Sequence, residues 1–248
     1  MTRVGFLYPG YSAEDDYKVF ASMLDGVELP VVHTLMREDA HRVDALLDVG
    51  GGDVLSEGAR ELAGMEVDAA VWACTSGSFV FGWEGAREQV RGVREAAGAP
   101  ASSTSFAFVH ALRQLRFSRV AIAATYPDDV ARHFVDFLSA AGVEVLSLAS
   151  HGIATAAEVG RLDPDEAVDF VITNDHARAE AVLVPDTALH SADLIEPIEA
   201  LLGKPVLTAN QVSVWEGLRL AGETRPRNGP GALFRAGSAT VTSALDAS

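Results

Sequence analysis

The feature that most constrains this chain is that it matches itself once. TRVGFLYPG (2–10) aligns with SRVAIAATY (118–126) at an offset of 116, and VDAAVWACTSGS (67–78) aligns with AEAVLVPDTALH (179–190) at an offset of 112. GAP (98–100) pairs with GKP (203–205), and HALR (110–113) with EGLR (216–219), at offsets of 105 and 106. Any one match is ordinary, but several in the same order with slowly drifting offsets are what a duplicated unit with altered loops leaves behind. The alignment sets Cys74 on Asp186 and Thr75 on Thr187.

Short apolar runs alternate with longer stretches of helical spacing, the pattern of a parallel sheet covered by helices. Strands are expected at 3–9, 68–74, 119–125 and 181–186, with weaker ones at 27–34, 143–149 and 204–210; residues 43–64 and 128–142 carry helical periodicity. The expected fold is α/β, with two pseudosymmetric Rossmann-like lobes of parallel sheet and the active site in the cleft between them. Ligands of open α/β sheets bind beyond the carboxyl ends of the strands, so equivalent strand ends should face a ligand from opposite sides. The first lobe is expected over 1–116 and the second over 117–210, with 211–248 packing back on the first.

A formal charge of −16 excludes the basic footprint of a nucleic-acid binder and gives no steering to an anionic substrate. No apolar run reaches spanning length and no secretory signal is evident, so no membrane partner and a cytoplasmic location are expected. The lone Cys74 forms no intrachain disulfide, and the seven histidines (33, 41, 110, 133, 151, 176, 190) lack metal-site spacing, so no metal is expected.

The strongest local signal is VWACTSGSF, an apolar strand ending in Cys74 and then Thr75, Ser76, Gly77 and Ser78. Such a turn offers N–H groups and hydroxyls to a carboxylate or oxyanion. A helix starting near Thr75 would lower the thiol's pKa; the alternative is a buried cysteine serving as a small hydrophobe. Asp186 is either a proton-handling group or a cap for the turn after its strand. Tyr126 stands at the third strand's end, and Tyr8, Pro9, Gly10 and Ser12 form the matching loop in the first half. GGGD (50–53) lacks the GK[ST] ending of a phosphate loop and reads as a flexible loop. Trp72, Trp83 and Trp215 read as core or interface anchors.

On the Cys-Thr-Ser turn at 74–76, the Tyr-x-Asp-Asp-Val stretch at 126–130 and GKPVLTANQVSVWEGLRLAG at 203–222, the chain resembles the aspartate/glutamate racemase superfamily, in the branch of maleate cis-trans isomerases and arylmalonate decarboxylases. The resemblance implies a cofactor-independent enzyme of small carboxylic acids, a homo-oligomer, and substrate-oxygen binding by Thr75, Ser76 and Tyr126; from the internal repeat, the loop with Tyr8, Pro9, Gly10 and Ser12 should line the same cleft, and Thr187 and Asn210 are further candidates for binding substrate. Racemases and maleate isomerases carry a thiol on each side of the cleft; arylmalonate decarboxylases keep one only on the second side, with Gly on the first. This chain has the first-side thiol and Asp186 in place of the second.

Three chemistries follow. The leading one is an isomerase of the maleate isomerase or racemase type, with Cys74 as nucleophile or acid/base and Asp186 opposite. The others are an unlike-pair racemase and a decarboxylase in which Cys74 donates the proton. A reading of another class, a non-catalytic small-carboxylate-binding protein, fits two lobes around a cleft equally well.

Overall fold

The computed structural model describes residues 1–238. The expectation for 211–248 therefore extends, at 239–248, outside the described residues.

The first lobe runs β1 (Thr2–Pro9), α1 (Asp16–Met23), β2 (Val27–Glu28), β3 (Val31–Thr34), α2 (Val43–Val49), α3 (Gly52–Ala63), β4 (Ala69–Trp72), α4 (Ser76–Phe79), α5 (Gly82–Ala97), β5 (Ala101–Ser103) and α6 (Thr104–Leu115). The second runs β6 (Arg119–Ala124), α7 (Asp128–Ala140), β7 (Glu144–Ser150), α8 (Ala156–Val159), α9 (Pro164–Thr173), β8 (Ala181–Val184), α10 (Ile195–Leu202) and β9 (Val206–Thr208), followed by α11 (Ala209–Leu220) and α12 (Gly231–Ala236). All pairings are parallel. In the first sheet β2 and β3 both lie beside β1, followed by β4 and β5; the second has the order β7-β6-β8-β9. Each lobe thus places its first strand between an edge and the strand that carries the candidate group, and the fold is the two-lobed parallel α/β architecture.

The single strand expected at 27–34 is split, because Leu29–Pro30 leaves the ladder and Pro30 has no N–H to give it. Residues 43–64 form two helices, broken at Gly50. This glycine is no flexible loop. A Cβ on it would stand 2.2 Å from the Gly77 carbonyl, and its own carbonyl accepts from Gln89 Nε2 at 2.8 Å. Gln89 also donates to Gly77 O at 2.8 Å, so this close approach braces the turn that carries Cys74.

The second sheet shows how period-two side-chain alternation divides a buried strand between two cores. Val120, Ile122 and Ala124 join the main core shared by both lobes, while Ala121 and Ala123 face a smaller one with Val182, Val184 and Ile198. Trp72 and Trp215 are buried, and Trp83 packs on Phe106 and Phe137, a contact between lobes.

Helices α6 and α11 start at equivalent places, after β5 and β9, with N-caps Ser103 and Thr208; the second forms a full capping box with Gln211. They pack on each other, and α11 lies against β1, β4 and β5. A Cβ on Gly217 would meet Val4 Cγ1 at 2.2 Å, so a glycine is what lets the helix sit this close to the sheet. Between α6 and α11, Glu216 accepts from Arg219 Nε at 2.8 Å and pairs with His110 Nδ1 at 2.8 Å. Burial pushes the Glu216 carboxyl up, but His110 and Arg219 outweigh it and hold it well below the usual carboxylate range.

Candidate active site

The strand ends of the two sheets meet at a small cavity lined from the first lobe by Tyr8, Ser12, Cys74 and Ser76, and from the second by Asp186 and Thr187. The loop between β3 and α2 closes over it with Met36, Glu38, Asp39, Ala40 and His41. Its free space is small, about 30 Å³.

Cys74 lies two residues beyond β4 and is 5% exposed. A helix does begin beside it, at Ser76, and Gly77 N–H donates to Sγ at 3.3 Å, with Ser76 Oγ at 3.8 Å. The expected lowering of the thiol pKa is nevertheless overturned. Burial pushes it up to about 11, aided by the negative charge of Asp186 and only partly offset by the Gly77 and Ser76 contacts. One short turn of helix cannot repay desolvation of a thiolate. Gly77 fits tightly here: a Cβ would stand 3.0 Å from Sγ and 3.1 Å from Trp72 Cζ2.

Asp186 follows β8 and is 4% exposed. Ala188 N–H donates to Oδ1 at 2.9 Å and the Thr125 hydroxyl donates to Oδ2. The capping role is thus real, but it closes a turn rather than starting a helix, since α10 begins only at Ile195. His41 Nε2 stands 4.0 Å from Asp186 Oδ2.

The other expected residues divide. Pro9, Ser12, Ser76 and Thr187 line the cavity with Tyr8, whose hydroxyl is already committed to Ser12 Oγ at 2.6 Å, Thr187 O at 3.0 Å and Ala13 N–H at 3.0 Å. Thr75 and Tyr126 sit behind the lining. The Tyr126 phenol lies beside Ser76 and Thr75 and donates to Pro185 O at 2.5 Å, while the buried Thr75 hydroxyl makes no aligned hydrogen bond among the described residues. Gly10 does not line the cavity. Its φ of +62° and the 2.3 Å that would separate a Cβ from Met36 Cε show that it makes room for the closing loop.

Asn210 is a correction. It is fully buried outside the cavity, and its Nδ2 donates to Asp16 Oδ2, Thr187 O and Leu189 O at 3.0, 3.2 and 3.3 Å. Asp16, reached from α1 of the first lobe, also accepts from Ser191 N–H and Ala192 N–H, so this polar cluster fastens the lobes and positions the 187–192 turn.

Sequence reasoning missed the closing loop altogether. Asp39 takes the N–H groups of Ala156 and Ala157 at 2.7 and 3.0 Å, and His41 N–H donates to Ala154 O at 2.7 Å, latching the first lobe onto α8 of the second. The only available signal was its polar, acidic composition before α2.

The sequence profile of the arylmalonate decarboxylase family matches residues 48–234. The chain belongs to the arylmalonate decarboxylase family. Within it, the arylmalonate decarboxylase of Bordetella bronchiseptica is 32% identical over 145 residues, covering 57% of this chain and 60% of that protein. The maleate isomerase of Geobacillus stearothermophilus is 30% identical over 122 residues, covering 49% of each. The matched sequence thus spans half to three fifths of these relatives. In three dimensions the likeness is longer: a mutant of the Nocardia farcinica maleate cis-trans isomerase with a covalently bound succinylcysteine intermediate superposes with a TM-score of 0.86 over 96% of this chain and 99% of that one, at 23% identity. Among the described residues no helix is long and apolar enough to cross a membrane.

Proposed function

We propose that the chain is a cofactor-independent isomerase of a small (di)carboxylic acid, with Cys74 as its nucleophile or acid/base and Asp186 on the opposing side. The observation that carries this reading is that a thiol and a carboxylate, from equivalent strand ends of two lobes, line one closed cavity. The Ser76 hydroxyl, which lines the cavity beside the thiol, suits the developing charge of an enediolate. In the isomerase step the Cys74 sulfur bonds one alkene carbon and a proton is delivered to the other. Rotation about the resulting single bond and loss of the same sulfur and a proton then give the opposite geometry. The succinylcysteine seen in the Nocardia farcinica enzyme is the adduct such an addition forms from a four-carbon unsaturated diacid.

A second reading is favoured by the Cys74 thiol itself. Pushed up to about 11, it holds its proton at neutral pH, as a donor to the enediolate left by loss of CO2 from a substituted malonate must. Incubation with maleate, aspartate, glutamate, hydroxy acids and substituted malonates in D2O, followed by NMR, separates the two: isomerisation and loss of carboxylate give distinct signals. Cys74→Ala should abolish whichever appears; a variant as active as the parent would refute the role given to Cys74, and no signal from any of these substrates would count against the enzyme reading.

A further inference from the structure

Of the side chains that line the cavity, His41 alone can become a cation; the other ionisable ones are Tyr8, Glu38, Asp39, Cys74 and Asp186. Its ring is nearly as buried as the thiol and is held by the second lobe. Nδ1 lies 2.9 Å from the Ile153 carbonyl, an acceptor only, so Nδ1 carries the proton. The Tyr126 ring meets it edge-on with centroids 5.0 Å apart. That leaves Nε2 facing Asp186 Oδ2 at 4.0 Å, too far for a hydrogen bond and close enough for strong coupling of charges. Asp186 meanwhile has a fixed carboxylate, each oxygen taking one donor, from Ala188 and Thr125.

We propose that His41 is the proton carrier of the second side and that Asp186 supports its charged form, so that the pair does there what a second thiol would do. The inference rests on the isomerase reading above and deepens it. In the forward step the Cys74 S–H bond breaks and its proton passes to His41 Nε2. The S–C bond forms as the alkene electron pair moves onto the adjacent carboxylate as an enediolate. The imidazolium then returns the proton to the neighbouring carbon, leaving His41 neutral, and elimination reverses both transfers. The contacts of the His41 loop with 153–157 are what hold the carrier at the cavity.

Asp186 and Tyr126 from the second lobe face the ring, and Cys74, Tyr8, Glu38 and Asp39 are the other ionisable groups that share its cavity. The test is ring-nitrogen NMR of the full chain across pH, with His41 assigned as the signal lost in His41→Gln. The expected result is a ring whose neutral form carries its proton on Nδ1 and whose Nε2 signal changes in Asp186→Asn, because that nitrogen faces the carboxylate. An Nε2 signal indifferent to Asp186→Asn, or a ring protonated at Nε2, overturns the proposal.

Turnover of maleate and phenylmalonate supplies the second arm. His41→Gln should lower kcat by about 100-fold or more and remove one limb of its pH profile, with partial recovery of His41→Ala by added imidazole. Wild-type kcat in His41→Gln beside an inactive Cys74→Ala overturns this inference and leaves the isomerase reading standing. An active Cys74→Ala overturns that reading and this one with it.

Discussion

The state of the Cys74 thiol can be tested through folding stability alone, with no substrate. Burial pushes its pKa up to about 11 in the folded chain from an ordinary value of 9.0. The folded value is the raised one, so the unfolded chain gives up its proton first. The stabilisation is full below pH 9 and drains away as pH rises towards the folded value. With those two values, linkage gives a loss of about 1.4 kcal/mol between pH 8 and pH 10, and about 3 kcal/mol by the time both forms are ionised. Burial raises Tyr8, Tyr17 and Tyr126 as well, and their phenols ionise in the same region once the chain unfolds, so the quantity to measure is the difference between wild type and Cys74→Ala. Urea unfolding of both at the two pH values should show the gap narrowing by that amount, and the difference in ultraviolet absorbance should place the thiolate midpoint near 11. A gap independent of pH, or a midpoint at or below 9, would refute the argument that desolvation outweighs the short helix and the Gly77 N–H.

Three further outcomes are expected. Gly77→Ala should cost about 1–3 kcal/mol by overpacking against Sγ and Trp72, and should abolish turnover before it abolishes folding; thermal unfolding and the D2O assay together check this. Asp39→Ala removes the acceptor for Ala156 and Ala157 N–H, so it should cost about 1 kcal/mol and speed alkylation of Cys74 by iodoacetamide as the loop is released. Glu216→Gln leaves Arg219 and His110 without their buried counter-charge and should cost about 3–5 kcal/mol at neutral pH. Because Glu216 is held below the usual range when folded, its contribution is present at neutral pH and lost as pH falls, so denaturant midpoints of wild type and variant should converge in acid.

The strands and their order of use were legible because a parallel sheet buried on both faces writes near-continuous apolar runs, and the duplication then gave Cys74 and Asp186 equivalent places. What the sequence hides is whatever depends on closure between distant segments. Residues 35–42 have no periodicity, and their role appears only when Asp39 and His41 meet the backbone of 153–157. Asn210 reads as a polar residue at a strand end, but its partners lie on α1 and in the 187–189 turn. The thiol's pKa was misjudged for the same reason: a helix start is visible locally, and the burial that outweighs it is assembled from two lobes. GGGD looked loose because the carbonyl of Gly77, against which Gly50 packs, is not its neighbour in sequence.

Helix α11 covers β1, β4 and β5 although it is made after every strand of the second sheet. On a ribosome adding about 5–20 residues each second, the roughly 100 residues between α6 and α11 leave that apolar face bare for several seconds. A nascent first lobe is therefore a client for chaperones, and a gene cut near residue 116 should yield a fragment that aggregates rather than half an enzyme. Supplying residues 117–248 in trans should rescue it only if they arrive before the exposed sheet finds another partner.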